Sequence, residues 1–291
     1  MSETEGTISW RRLLSETAAV TGRPQARWLC EEASGAFGHE FTELLDEPVT
    51  ERPIAHLDAM LARLRTGEPL QYVLGHWSFR RLDLLVDRRV LIPRPETEEL
   101  VTLALSYITP GATVVDVGTG SGAIALALAQ ESAAGRVIGT DLSADAIEVA
   151  EMNARAVLQR AHARTEFLQG NLLEPLGDER VDVVVSNPPY IAISERAELP
   201  SAVKDWEPAQ ALFGGFDGMA VIRELVAQSE ARLPTGGMLL MEIDARRGAE
   251  TLALVAGPQW RDGQLLPDAF GRDRFVVACR TAAASRRATA G

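Results

Sequence analysis

Val114-Val115-Asp116-Val117-Gly118-Thr119-Gly120-Ser121-Gly122 is the stretch that decides how this chain folds. An apolar run ends in three glycines at alternate positions, and the apolar segment Ala123 to Ala129 follows directly. Strand, tight turn and helix in that order form the first βα unit of an open α/β sheet, where ligands sit at the carboxyl ends of the strands. Glycine lets the backbone turn sharply and approach a ligand closely. The dinucleotide fingerprint GxGxxG is not what is written, because the third glycine comes one residue early and Asp116 precedes the first, so a nicotinamide cofactor ranks second. A carboxylate before the turn suits a ligand with a cationic amine better than a pyrophosphate. S-adenosylmethionine carries such an amine and a sulfonium. On this reading Asp116, Gly118, Thr119, Gly120 and Gly122 line the cofactor site.

Beyond Gly111 the alternation continues: strand 113–117, helix 121–131, strand 136–141, helix 144–158, strands 165–169 and 181–186, helix 217–232, strand 237–243, helix 247–256 and a last strand over 274–280. Asp141 ends the second of these strands, placed to accept hydrogen bonds from ribose hydroxyls; the alternative is a helix N-cap, for which Ser143 is also available. After the next strand, Asn171 offers an amide for an adenine edge and Leu172 an apolar face for its ring; the alternative is an ordinary loop asparagine. From about Ile8 to Leu64 apolar residues recur at three-to-four-residue steps, with Pro24, Pro48 and Pro53 compatible with helix starts, which predicts a small helical bundle. Residues 72–91 switch to short aromatic and β-branched runs and read as a hairpin linker, followed by the loop Ile92 to Glu98.

Composition sets the broad class. With 29 basic and 41 acidic residues among 291, the net charge is −12, a balance that disfavours general binding to nucleic acid or anionic membranes. Cys30 and Cys279 lie far apart without CxxC spacing, which indicates neither a disulfide framework nor a zinc site; both are expected to be buried. His39, His56, His76 and His162 lack the spaced partners of a metal site or a triad, and no metal is expected. The polar, acidic start and the absence of a long apolar segment predict a cytoplasmic protein without a membrane span. Arg286 and Arg287 in the Ala-rich end read as part of a solubilising tail.

A second motif, Asn187-Pro188-Pro189-Tyr190, follows the apolar run 181–185. Two successive prolines fix φ and remove two backbone donors, so the flanking carbonyls and the Asn187 amide are expected to point outward as a stiff clamp for a flat amide or amino group. Glycine turn and clamp together resemble the class I S-adenosylmethionine methyltransferases acting on planar nitrogens. The resemblance narrows with Gly67-Glu68-Pro69-Leu70-Gln71-Tyr72-Val73-Leu74-Gly75, with Leu91 to Glu98, with Trp206-Glu207-Pro208 and with Gly214-Gly215-Phe216-Asp217-Gly218, which look like the peptide chain release factor glutamine methyltransferases, the PrmC/HemK family.

That resemblance implies a Rossmann-like open sheet, mostly parallel with an antiparallel last strand, a small N-terminal helical bundle and a β-hairpin linker. It implies a helical substrate-recognition domain over 1–70, a linker over 71–92, a catalytic domain over 93–280 and a flexible tail over 281–291. The activity implied is methyl transfer from S-adenosylmethionine to the side-chain amide nitrogen of the glutamine in the Gly-Gly-Gln loop of release factors, its protein partners. Asn187, Pro188, Pro189 and Tyr190 would be catalytic, with Asn187 and the Pro188 carbonyl accepting the two amide hydrogens, Tyr190 lining the amide plane and Asn187 also bordering the cofactor. Arg94, Pro95 and Glu96 would shape the substrate entrance. This chain departs from the family pattern at Asn171 for Asp, Asp244 for Gly and Arg247 for Gln, and the last two put substrate identity in question. The rival readings are a nucleic-acid amino methyltransferase using the Arg80, Arg81, Arg88, Arg89 and Arg94 cluster, an amide methyltransferase with another substrate, and a silent cofactor-binding protein; stable nucleic-acid binding is not expected.

Overall fold

A computed structural model describes residues 8–158 and 163–281. His162, Arg286, Arg287 and the tail expected at the carboxyl end lie outside the described residues. The chain separates into two compact units, Met1–Gly75 and His76–Gly291.

The first unit is helical: α1 (Trp10–Thr21), α2 (Arg23–Ser34), α3 (His39–Glu43), α4 (Glu51–Arg65) and α5 (Leu70–Leu74). Ser9 caps α1 by accepting from Arg12 N, and Pro24 occupies the first turn of α2, where its missing N–H costs nothing. Trp10, Leu29, Phe41, Leu57 and Met60 form its core, with Trp10 and Phe41 edge-to-face at 5.6 Å. Cys30 is buried among them, and burial pushes its thiol up to about 11.

The second unit opens with a hairpin, β1 (His76–Phe79) and β2 (Leu82–Leu85), so the pairing begins after α5 and not at residue 71. Its turn holds Arg80 at φ 54, anchored where Glu98 accepts from Arg80 N at 3.0 Å and the guanidinium pairs with Glu131 at 2.6 Å. Then follow α6 (Pro95–Leu105), β3 (Thr113–Val117), α7 (Ala123–Glu131), β4 (Arg136–Asp141), α8 (Ala144–Val157), β5 (Arg164–Gln169) and β6 (Val183–Ser186). The chain ends with α9 (Ser201–Lys204), α10 (Ala209–Leu212), α11 (Ala220–Arg232), β7 (Met238–Glu242), α12 (Gly248–Leu254), β8 (Trp260–Pro267) and β9 (Asp273–Arg280).

Seven strands form one sheet in the order β5-β4-β3-β6-β7-β9-β8. The first five are parallel; β9 runs antiparallel to both β7 and β8. The expected antiparallel last strand is present, and β8 is an addition. Its sequence hid it: β8 is an edge strand with a bulge between Arg261 and Gln264, Asp262 at φ 55 and mostly exposed side chains, so no apolar alternation marks it. Both faces of the sheet are covered, as a parallel sheet requires. One core joins the hairpin, α6 and α7, the other α11 and α12. Helix α7 is buried from Ala123 through Ala129, which explains why its sequence shows no polar face.

Phe41 is fully buried, and Phe41→Ala should destabilise the helical unit by roughly 3–5 kcal/mol. Hydrogen exchange should lose protection across α1 and α2 while β3 to β7 keep theirs; equal loss in both units would contradict the separation of cores.

Candidate functional site

The strand order turns around at β3, with β4 on one side and β6 on the other, and the crevice at such a reversal is where open α/β sheets bind ligands. In the β3–β6 ladder Val117 faces Ser186, and the buried Ser186 Oγ donates to the Val117 carbonyl at 2.7 Å. The glycine turn from Gly118 and the clamp from Asn187 therefore leave the sheet side by side.

In the turn, Gly118 and Gly120 take φ of +73° and +54°, with no atom within 4 Å of where a Cβ would stand. Backbone conformation is the reason for glycine there, and it leaves the turn open. Gly122, at φ +83°, shares that backbone demand and is also closely packed, since a Cβ would press on Leu126 at 3.0 Å and Ala150 at 3.3 Å. Thr119 is likewise turned inward, donating to Asp116 Oδ2 at 2.6 Å, and Ala125 N donates to the same oxygen at 3.0 Å. Asp116 is fully buried and its Oδ1 has no partner. Burial, only partly offset by the bonds from Thr119 and Ala125, pushes its carboxyl up to about 7. The expected charge at the helix entrance is thus a sealed carboxyl with one unsatisfied oxygen, a group that a cationic donor would complete.

Asp141 Oδ2 accepts from Gly120 N and Oδ1 from Ser143 N, both at 2.9 Å, which fixes its plane and leaves acceptor capacity on each oxygen. Ser143 is the cap of α8, accepting from Ala146 N, so Asp141 is not needed for capping. Burial raises the Asp141 carboxyl above its usual range. Asn171 donates through Nδ2 to Glu224 at 2.6 Å, which leaves its Oδ1 as the end available to a ligand amine; Leu172 is held at φ 51 beside it. The orphaned Asp116 oxygen, the open glycine turn and the fixed Asp141 plane fit S-adenosylmethionine.

On the clamp side, Leu91, Arg94, Asn187, Pro188, Tyr190 and Leu212 are among the residues lining a pocket. Asn187 Nδ2 does not point outward as the sequence suggests: it donates inward to Thr97 Oγ1 at 3.1 Å. Thr97 in turn donates to the buried Glu242 Oε2 at 2.8 Å. Among the described residues nothing donates to Asn187 Oδ1 or to the Pro188 carbonyl, so the two acceptors are both unpaired. Burial pushes the Glu242 carboxyl up to about 7, and the Tyr190 phenol is pushed up as well, by burial and then by Glu242. Thr97 lies in the Leu91 to Glu98 motif and Glu242 opens the stretch that holds Asp244 and Arg247, but neither residue stands out in the sequence, because nothing local shows that they meet at Asn187.

The glycines of 214–218 are explained by contact with the clamp. A Cβ on Gly214 would lie 2.3 Å from the Pro189 carbonyl oxygen, and one on Gly218 would lie 2.3 Å from that of Tyr190. Arg94 pairs with the buried Glu207 at 2.6 Å, joining the loop before α6 to the Trp206-Glu207-Pro208 segment; Pro95 and Glu96 start α6 itself. Arg247 is buried, bonding the Asp217 carbonyl at 3.2 Å and Glu195 at 2.9 Å, while Asp244 pairs with Arg246 at 2.9 Å. Arg247 thus ties together the loops that flank the clamp, while Asp244 pairs within its own segment.

Comparison with known proteins agrees with this geometry. Residues 8–75 match the model of the PrmC N-terminal domain, and residues 99–201 match that of the methyltransferase small domain. A release factor glutamine methyltransferase of Geobacter sulfurreducens is 36% identical over 92% of this chain and 94% of that protein. The chain belongs to the release factor glutamine methyltransferase family. A second family member, from Moorella thermoacetica, is 43% identical over 75% of this chain and 77% of its own length. Among solved structures, a methyltransferase from Pyrococcus furiosus superposes with a TM-score of 0.53 at 15% identity, covering 77% of this chain and 98% of that one, which shows the shared fold.

Asp116 makes a pH prediction. Its folded pKa of about 7 lies above the ordinary 3.8, so its stabilising contribution is complete below that ordinary value and is lost as pH rises toward 7. Asp116→Asn should flatten this part of the fall in Tm of the ligand-free protein over that window. A Tm profile in the variant parallel to the parent's would remove Asp116 as its source.

Proposed function

We propose that the pocket beside Asn187 is where this enzyme carries out its reaction, the transfer of a methyl group from S-adenosylmethionine to the side-chain amide nitrogen of the glutamine in the Gly-Gly-Gln loop of release factors. The supporting observation is the pair of unpaired acceptors, Asn187 Oδ1 and the Pro188 carbonyl, which stand at the strand reversal next to an open glycine turn. Asp116, Gly118, Gly120, Asp141, Asn171 and Leu172 would hold the cofactor, which when bound supplies an electrophilic methyl on a sulfonium.

An amide nitrogen is a weak nucleophile because its lone pair is delocalised into the carbonyl. The two acceptors bind the two amide hydrogens and so orient the nitrogen while stabilising the positive charge that develops on it. Their rigidity comes from the proline pair and from the glycines packed behind them, so little reorganisation accompanies the reaction. Tyr190, its phenol kept neutral, lines the plane of the carboxamide. No carboxylate or imidazole is among the residues lining the pocket, and the surplus proton leaves to water.

Four of the five arginines that a nucleic-acid reading would use are engaged within the fold: Arg80 with Glu131, Arg89 with Asp87, Arg94 with Glu207, and Arg88 stacked 4.0 Å over Trp206. With a net charge of −12, this supports a protein substrate over a phosphate backbone. Among the described residues no helix is long and apolar enough to cross a membrane, and the cytoplasm, where release factors act, is the compartment this reading implies.

Asn187→Ala should lower kcat by about 10²–10³, or roughly 2.7–4 kcal/mol, with S-adenosylmethionine affinity nearly unchanged by calorimetry. Asp141→Ala should do the reverse, weakening cofactor binding first. Peptide mapping of a release factor after incubation with enzyme and cofactor tests the reading directly; a glutamine of the Gly-Gly-Gln loop that gains no methyl group contradicts it.

A further inference from the structure

A carboxamide has two ends that differ little in shape and are opposite in hydrogen-bonding sense. If the Asn187 side chain turned over, its NH2 would face the pocket, where a substrate amide also presents hydrogens, and donor would meet donor. Nothing in the residue's own rotamer preferences decides between the two, because terminal sp²–sp³ torsions are broad and close to two-fold. The decision has to come from its neighbours.

Thr97 and Glu242 supply it. Thr97 has one hydroxyl hydrogen. Glu242, ionised, can only accept, and Thr97 Oγ1 lies 2.8 Å from its Oε2, so that hydrogen is committed to the carboxylate. What Thr97 then offers Asn187, 3.1 Å away, is a lone pair, and only the Nδ2 end of the carboxamide can use it. We propose that Thr97 and Glu242 are positioning residues that set the hydrogen-bond polarity of the Asn187 carboxamide, so that Oδ1 faces the amide-binding pocket. The chain runs from β7 through α6 to the end of β6 and joins three elements distant in sequence.

The relay rests on the reading of the pocket as an amide site and adds to it a protonation condition. Protonated Glu242 can donate as well as accept, and Thr97 is then free to donate toward Asn187 and reverse its amide. The groups that bias this proton are Arg274 on β9, Glu96 on α6, Arg94 ahead of it and the Tyr190 phenol. Burial is the largest influence and places the carboxyl at about 7, so the correct polarity is lost as pH falls through that value.

The experiment compares Thr97→Val, Thr97→Ser and Glu242→Gln with the parent enzyme at saturating S-adenosylmethionine. Thr97→Val should lower kcat roughly 10- to 100-fold, the size of loss known for groups that orient metal ligands, with cofactor affinity close to the parent's and a lowered Tm, because Glu242 and Asn187 Nδ2 lose a buried partner. Thr97→Ser keeps the hydroxyl and should recover most of the turnover. The parent's kcat should show an acid limb near pH 7; Glu242→Gln, whose amide can serve either polarity, should be slower and lack that limb, while any contribution from Asp116 persists in both profiles. A readout without turnover is the Asn187 side-chain NH2 signal in NMR, which should exchange slowly in the parent and quickly in Thr97→Val.

Equal impairment of Thr97→Val and Thr97→Ser, or parent-like kcat and parent-like exchange in Thr97→Val, overturns the relay. Failure of the parent itself to methylate a release factor overturns the functional reading instead, and the NMR comparison still decides the relay.

Discussion

The hydrogen bond from Ser186 Oγ to the Val117 carbonyl marks the place on which the site depends, the end of the parallel β3–β6 ladder. Parallel strands place their carboxyl ends on one edge, and the reversal of strand order at β3 opens a crevice between the loops leaving that edge. One loop is a glycine turn with an open backbone, the other a proline-stiffened clamp that presents two unpaired acceptors; in the proposed reading the first holds the cofactor and the second the substrate amide. A shift of one residue in this register would carry Asp116 to the other face and separate the two loops, so both chemistries rest on one pairing.

Around that edge the protein buries charge and leaves selected groups incomplete. Asp116 and Glu242 are both sealed from water with carboxyls lifted to about 7, yet their situations differ. Asp116 keeps one oxygen without a partner beside the glycine turn, which is where a ligand amine would be compensated. Glu242 accepts from Thr97, which in turn accepts from Asn187 of the clamp. In a low-dielectric surrounding an unpaired polar atom is costly, and such atoms persist where binding or catalysis makes use of them.

The departures from the family pattern read differently once the packing is visible. Asp244 and Arg247 suggest, in sequence, a changed substrate. In the fold Arg247 is buried and grips Glu195 and the Asp217 carbonyl, and neither Asp244 nor Arg247 lines the pocket beside Asn187. Asn171 for Asp is matched by Glu224, which accepts from the Asn171 NH2 and leaves its oxygen end free of that contact. These substitutions alter how the loops are held while leaving the clamp's acceptors in place.

The sequence by itself determined the α/β class, five of the seven strands of the sheet in parallel alternation with helices, the glycine turn and the Asn-Pro-Pro-Tyr clamp, because each is encoded within a few consecutive residues by local sterics and periodicity. It missed β8, an edge strand whose bulge and exposure erase the apolar alternation, and it did not foresee that the NH2 end of Asn187 turns inward to Thr97. It could not reveal that Thr119 bonds Asp116, that Gly122 packs against Leu126 and Ala150, that Thr97 and Glu242 reach Asn187, or that Arg94 meets Glu207. The relations among Asn187, Thr97 and Glu242 and between Arg94 and Glu207 join residues from 90 to 145 positions apart. Only the tertiary structure decides them, since a side chain's hydrogen-bonding sense is set by whichever groups burial leaves within reach, and no local pattern records which those are.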